Sequence, residues 1–450
     1  MKRTIDTSVL ARRRSLFWRI HFWAALVASP FALLAALTGI LYLFSPQIEQ
    51  HLYAGLDRVQ PRGERLALDA VVDAARKAMP QGAMLSAVFP AWRQDVSVRV
   101  LFIPPRPASA MQGHAMHAHA MHGAQPTAPA SPWLADAIGT TVYVDPYSAR
   151  VLGTQAANVR FSAWSKKLHS SLLQGDGWRW MIELGASCLM VMLLTGIYLW
   201  WPRGAQSGLP QKGASGRTAW SQWHAFIGVA LSIISFVMLT TGLTWSKYAG
   251  TQIRVARDAV GQQPPQAPRD LASIVIEGKA PLSWQQAAAA AGSLAPDVAL
   301  RLMPPSGARG AWRVASANQT RPTKRVDMVM DAYSGKPLFY ADWKAQTVFS
   351  KATGIGIPFH RGEFGWWNQL LLLLFGAGIV FSLVSGWVMF FKRRKMGMPA
   401  LPKLLPGAWR SLPPAAWIVA ALLCVAMPLL ACSAALLAIV EWRLHRSTVA

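Results

Sequence analysis

Hydropathy divides the 450-residue chain into alternating apolar and polar blocks. Five apolar runs, 22–44, 179–201, 224–245, 366–391 and 414–440, are long enough for helices that cross a bilayer, which takes about 20 residues. The polar blocks at 45–178 and 246–365 are too long for simple connections and read as folded domains. In the first, apolar positions recur at helical spacing over 68–79, and strand-like runs occupy 84–89, 95–103 and 140–152. The second repeats that order, with a helix over 283–292 and strands over 298–303, 311–316 and 325–340. The predicted fold class is an α-helical integral membrane protein. Its bundle has four helices from a tandem repeat plus a fifth helix, and it carries two small α+β domains. Pro30 in the first run predicts a kink or a close helix contact.

Composition supports this reading. The chain is 53% hydrophobic and 14% charged, against about 25% charged in soluble proteins. A net charge of +25 would suggest nucleic acid in a soluble chain. Here the basic residues flank apolar runs instead, at 1–21, 202–223 and 392–413. By the positive-inside rule these three segments are cytoplasmic, both polar domains lie on the opposite side, and the partner is lipid, with no nucleic acid. The tail at 441–450 then also falls on the opposite side, against the sense of Arg443 and Arg446. Many of the 21 tryptophans sit at the ends of the runs, as interfacial belts require. The first run has no small-residue cleavage site and reads as an uncleaved span. The three cysteines lie in apolar runs with no CxxC or CxxCH, which argues against disulfides, a thiol redox pair and covalent c-type haem. No Walker loop, GxGxxG after a strand or GxSxG is present. Electrons, if they move, come from a separate cytoplasmic partner or a quinol, and no catalytic residue is assigned.

Histidine placement carries the candidate chemistry. His21, His169, His224 and His360 each sit near the start of one of the first four spans. Topology puts His21 with His224 near the inner face, and His169 with His360 near the outer face. Each pair takes one histidine from each repeat. Two imidazoles facing each other across a bundle are what a bis-His b-type haem needs, so two such haems are expected. A single histidine at a helix end more commonly bonds headgroups, and it is the matched set that favours a cofactor. Isolated iron or zinc is disfavoured by the lack of accompanying Cys, Asp or Glu. The four helices also carry Thr38-Gly39, Thr195-Gly196, Thr241-Gly242 and Ser385-Gly386. Small-residue helix packing accounts for these pairs, and room for a porphyrin edge is the alternative. Glu183 is an intramembrane charge with either an interfacial or a proton- or partner-binding role.

A low-complexity insertion at 104–132 contains HAMHAHAMH. Its His114, Met116, His117, His119, Met121 and His122 combine imidazole with thioether, a set suited to copper. A tolerated loop extension is the alternative reading.

The chain resembles the PepSY-associated transmembrane family. The resemblance rests on WRIHFW, on the KLHSSLL…GWRWMIELGASCLMVMLLTGIYLWWPR block, on WSQWHAFIG, and on the D-x-Y-S segments at 145–148 and 331–334. It covers nearly the whole chain to about residue 395. It implies a multi-pass bacterial inner-membrane protein with PepSY-like periplasmic domains. It further implies a di-haem ferric-siderophore reductase serving iron uptake, with His21, His169, His224 and His360 as haem ligands. The His/Met insertion departs from that pattern and raises copper handling or cupric reduction as an alternative. A non-enzymatic accessory protein that binds partners through its PepSY-like domains is another.

Overall fold

The computed structural model describes residues 7–104, 139–156, 158–201, 208–268, 270–318, 320–393 and 401–447. The predicted metal-binding residues His114, Met116, His117, His119, Met121 and His122 lie outside the described residues.

In chain order, α1 (Thr7–Leu43) is followed by the short α2 (Ser45–Leu52) and α3 (Ala54–Asp57). Next come α4 (Leu68–Lys77), β1 (Met84–Phe89), β2 (Val98–Ile103), β3 (Thr140–Val144) and β4 (Val151–Ala156). Helices α5 (Phe161–Ser171), α6 (Trp180–Trp200), α7 (Gly216–Ala230), α8 (Ser232–Leu243) and α9 (Ala249–Ala259) follow. The second repeat then supplies α10 (Trp284–Leu294), β5 (Leu300–Met303), β6 (Trp312–Ser316), β7 (Asp327–Met330) and β8 (Pro337–Ala341). The chain closes with α11 (Val348–His360), α12 (Trp366–Arg393), α13 (Pro414–Ala426) and α14 (Pro428–Ser447). Two compact units result. One is helical, from 1–44, 165–262 and 356–450, and the other, from 45–164 and 263–355, holds the strands.

In the helical unit three helices, Thr7–Leu43, Asp176–Trp200 and Trp366–Lys392, are long and apolar enough to cross a membrane, and up to five spans result if each of two bent pairs counts as one. Helix α1 runs 37 residues, about 55 Å. It begins well before the predicted start because the basic segment joins the same helix. It also continues through Pro30. The proline marks a close approach instead of a break: a Cβ on Gly185 of α6 would stand 3.0 Å from Phe31 Cβ and 3.3 Å from the Ala32 nitrogen. Glu183 is buried and accepts from the Tyr248 N–H (2.9 Å) and Ala249 N–H (2.7 Å). It therefore caps the start of α9, satisfying orphan donors with a carboxylate that suits the helix dipole.

Two predicted spans are interrupted. The run 224–245 bends by 60° between α7 and α8. Leu231 sits at the bend, and its side chain fills the notch left by Gly378 of α12, where an added Cβ would collide with Leu231 Cδ1. The fifth run bends by 120° ahead of Pro428. Arg13 Nε donates to the Ser411 carbonyl (2.6 Å) just before α13. Glu441, late in α14, takes a bidentate bond from Arg19 (2.6 and 2.9 Å) and another from Trp23 Nε1. Arg13 and Arg19 are six residues apart on α1, about 9 Å. The pair therefore leaves from and returns to the same end of α1. This corrects the expected placement of the tail. It also agrees with Arg443, two residues beyond Glu441.

The second unit corrects the expectation of two separate small domains. Its strands form one antiparallel sheet in the order β4-β3-β2-β1-β5-β6-β7-β8. The two repeats meet where β1 pairs with β5, Val88 opposite Leu302. Each repeat alone would leave β1 or β5 as an open edge, and pairing removes both. Helices α4 and α10 cap each other: Gln285 Oε1 accepts from Leu68 N–H (2.9 Å), while Asp69 accepts from Ser283 Oγ (2.9 Å), Trp284 N–H (2.9 Å) and Gln285 N–H (3.1 Å). One core spans both repeats, with Val71, Val72, Val88 and Val100 from the first and Ala287, Ala291, Leu302 and Val314 from the second.

The D-x-Y-S segments, read as parts of strands, are hairpin turns. Asp145 and Asp331 each accept from the N–H two residues on (2.9 and 3.0 Å), an Asx turn. The tyrosines fasten the turns, Tyr147 Oη to the Gln94 carbonyl and Tyr333 Oη to the Ala308 carbonyl, both at 2.9 Å. Strand propensity across 140–152 and 325–340 hid the turns.

Candidate cofactor site in the helical unit

Each of the four predicted histidines is anchored by Nδ1 to a hydroxyl from a neighbouring helix. His21 on α1 meets Thr195 Oγ1 on α6 (3.0 Å). His169 on α5 meets Thr38 Oγ1 on α1 (3.1 Å). His224 on α7 meets Ser385 Oγ on α12 (2.9 Å), and His360 on α11 meets Thr241 Oγ1 on α8 (2.9 Å). These hydroxyls belong to the four Thr-Gly and Ser-Gly pairs. The glycine that follows makes room for the ring. A Cβ on Gly39, Gly196 or Gly242 would lie 3.4, 3.3 or 3.2 Å from the Cε1 of His169, His21 or His360, while Gly386 leaves 4.0 Å to His224. The pairs that pattern alone assigned to helix packing are thus histidine seats. The spacing of seventeen residues between His21 and Thr38 and between His224 and Thr241 is plain in the sequence, but which histidine each threonine meets is not. Thr38 and Thr241 meet histidines on the short helices α5 and α11, whereas His21 and His224 meet hydroxyls on the long helices α6 and α12 that follow those two.

The seats lie at two levels. Seventeen residues of helix rise about 25 Å, close to the thickness of a bilayer's hydrocarbon core at about 30 Å. At one level His21 and His224 face each other with ring centres 6.3 Å apart and planes at 86°. They border a cavity of about 520 Å³, inside the range of about 300–1,000 Å³ usual for cofactor sites. Its walls include Phe22, Met192, Leu193, Leu383 and Phe390, with Arg14 and Arg217 also lining it. At the other level are His169, seated on Thr38 of α1, and His360, seated on Thr241 of α8. Trp245 lies beside His360 with ring centres 6.1 Å apart. Among the described residues no group of three or more His, Cys, Asp or Glu converges.

Two arginines near the second level, Arg179 and Arg361, serve local contacts. Arg179 donates to the Trp245 carbonyl (2.6 Å) and Asp176 (3.1 Å). Arg361 donates to Tyr42 Oη (2.9 Å) and pairs with Glu363 (2.7 Å).

Long apolar helices paired with an antiparallel sheet unit define a membrane protein that carries a sheet domain. Residues 18–393 match the PepSY-associated TM region, and the chain belongs to that family. The hairpin of α13 and α14 lies beyond the matched residues. No curated protein matches the chain.

Proposed function

We propose that the protein carries electrons across a bacterial inner membrane through two b-type haems and reduces a ferric chelate of the siderophore type on the periplasmic side. The observation that carries this reading is the matched set of four histidines, paired at two levels, each held through Nδ1.

The donor set fits haem. A porphyrin supplies four nitrogens, so the protein need offer only two imidazoles per site, and two are what each level provides. His21 and His224, with ring centres 6.3 Å apart, border the apolar cavity that would take one such group. Arg14 and Arg217 at the cavity suit anionic carboxylates. His21 and His224 would hold one haem, and His169 and His360 the other. Bound haem supplies reversible one-electron chemistry. The residues of this chain contribute fixed ligands, an apolar wall and a spacing that nearly spans the hydrocarbon core. The donor is a quinol or a cytoplasmic reductant. One electron converts ferric to ferrous iron in the chelate, and Fe(II) is the poorer match for hard oxygen ligands, so the metal is released.

The test is reduction of a ferric hydroxamate or catecholate chelate, followed with a ferrous-specific chromophore outside proteoliposomes loaded with dithionite. Reduction that needs both the protein and its haem is expected. Haem-loaded protein that passes no electrons would overturn the reading, as would a colourless preparation from haem-sufficient cells.

A further inference from the structure

We infer that Thr38, Thr195, Thr241 and Ser385 are positioning residues that hold His169, His21, His360 and His224 as the Nδ1–H tautomer. The ligand role this serves rests on the haem reading above, whereas the tautomer itself does not.

The argument is a count of protons. A threonine hydroxyl has one proton to donate and lone pairs to accept with. Thr38, Thr195 and Thr241 each donate to the carbonyl four residues back in their own helix, Leu34 (2.6 Å), Val191 (2.7 Å) and Val237 (2.8 Å). With that proton committed, each hydroxyl can only accept from the imidazole, so Nδ1 must carry the hydrogen. Ser385 likewise donates to the Ser382 carbonyl (3.0 Å), and His224 Nδ1 lies 3.0 Å from that same carbonyl, which can only accept. An Nδ1 lone pair aimed at a carbonyl oxygen would be repelled. The hydroxyls of Thr195, Thr38 and Thr241 also point at the carbonyls of Met192, Ala35 and Met238, at 3.3, 3.3 and 3.1 Å. A neutral imidazole has one N–H, so Nε2 keeps its lone pair in all four.

The arrangement also explains why the hydroxyl and the glycine come as a pair. The hydroxyl fixes the proton and the glycine lets the ring lie close enough to reach it. Partners of this kind fix ring orientation and raise ligand basicity, and their loss typically weakens metal binding about 10–100-fold.

The test is ¹⁵N solid-state NMR of full-length protein labelled at histidine, with haem retention measured on the same samples. Thr38→Val, Thr195→Val and Thr241→Val keep the side-chain shape and remove the acceptor, Ser385→Ala removes the fourth, and the matching Thr→Ser variants keep the hydroxyl. In wild type, four Nδ1–H signals protected from exchange are expected. Each Val or Ala variant should perturb one of them and weaken haem retention at that level about 10–100-fold, and Ser should restore both readouts. Nε2–H or doubly protonated rings at any of these four histidines in wild type would overturn the inference, and so would Val variants that match wild type in both readouts. Locked signals in a protein that binds no haem would sink the haem reading and leave the tautomer assignment standing.

Discussion

In the first repeat the hairpin turn passes through Ala149 at φ 55°, and in the second it passes through Gly335 at φ 72°. The two turns share their backbone bonds, Asp145 N–H to the Arg150 carbonyl and Asp331 N–H to the Lys336 carbonyl, both at 2.9 Å. Yet Asp331 also accepts from Ser334 N–H (2.8 Å), Ser334 Oγ (2.8 Å) and Ile274 N–H (2.8 Å). The second turn is therefore both less strained and better fastened. The helical halves differ in the same graded way. Helix α1 runs unbroken through a proline, whereas the corresponding stretch of the second repeat breaks at Leu231, where no proline stands. Three seats use Thr with a tight glycine, and the seat of His224 uses Ser with a looser one. Equivalent positions keep the geometry while local contacts set how much each can tolerate.

Substitutions at matched positions sharpen this comparison. The largest effect is expected at the seats. Gly242→Ala places a Cβ 3.2 Å from His360 Cε1 and should weaken haem retention at that level about 10–100-fold. Gly386→Ala, with 4.0 Å to His224, should leave haem content per chain unchanged. Equal losses at both sites would break the distinction.

Next in size is the turn carboxylate. Asp331→Ala leaves buried donors unsatisfied and should cost about 2–3 kcal/mol in denaturant unfolding, while Asp145→Ala should cost about 1 kcal/mol. Burial alone would push the Asp331 carboxyl up. Bonds from Ile274, Ser334 and Tyr333 outweigh that and hold it below the usual carboxylate range. A lowered folded-state value means the contribution is complete above about pH 5 and is lost as pH falls through that lowered value. The stability gap between wild type and Asp331→Asn should therefore shrink on acidification. A constant gap would show that the loss is one of packing.

Smaller again is the glycine itself. Gly335→Ala forces a side chain into the left-handed region and sets a Cβ 3.1 Å from Leu282 Cδ1, for a loss of about 1–2 kcal/mol. Smallest is Ala149→Gly, expected to stabilise by about 0.5 kcal/mol or leave stability unchanged, since relief of strain is offset by added freedom in the unfolded chain. Calorimetry of the two variants side by side checks both signs.

Much of this was legible in the sequence because periodicity reports which faces are buried. Leu68–Lys77, Met84–Phe89, Trp284–Leu294 and Trp366–Arg393 fall where the pattern puts them. What escaped depended on contacts distant in sequence. The hole at Gly378 that takes Leu231, the grip of Arg19 on Glu441 and the pairing of β1 with β5 each join segments whose adjacency no local pattern encodes. The four histidines stood out by their repeated placement. Their hydroxyl partners were visible as a motif but not as partners, because a Thr-Gly pair in a membrane helix reads first as packing.

The central claim is that histidines pair across the repeats at two levels. Haem stoichiometry of detergent-purified variants tests it most directly. Wild type should carry about two low-spin b-type haems per chain, the number two imidazoles per site allow. His21→Ala, His224→Ala and their double variant should each retain one haem. His21→Ala combined with His360→Ala should retain none. Retention of both haems by His224→Ala, or of one haem by the His21/His360 double variant, would contradict the account.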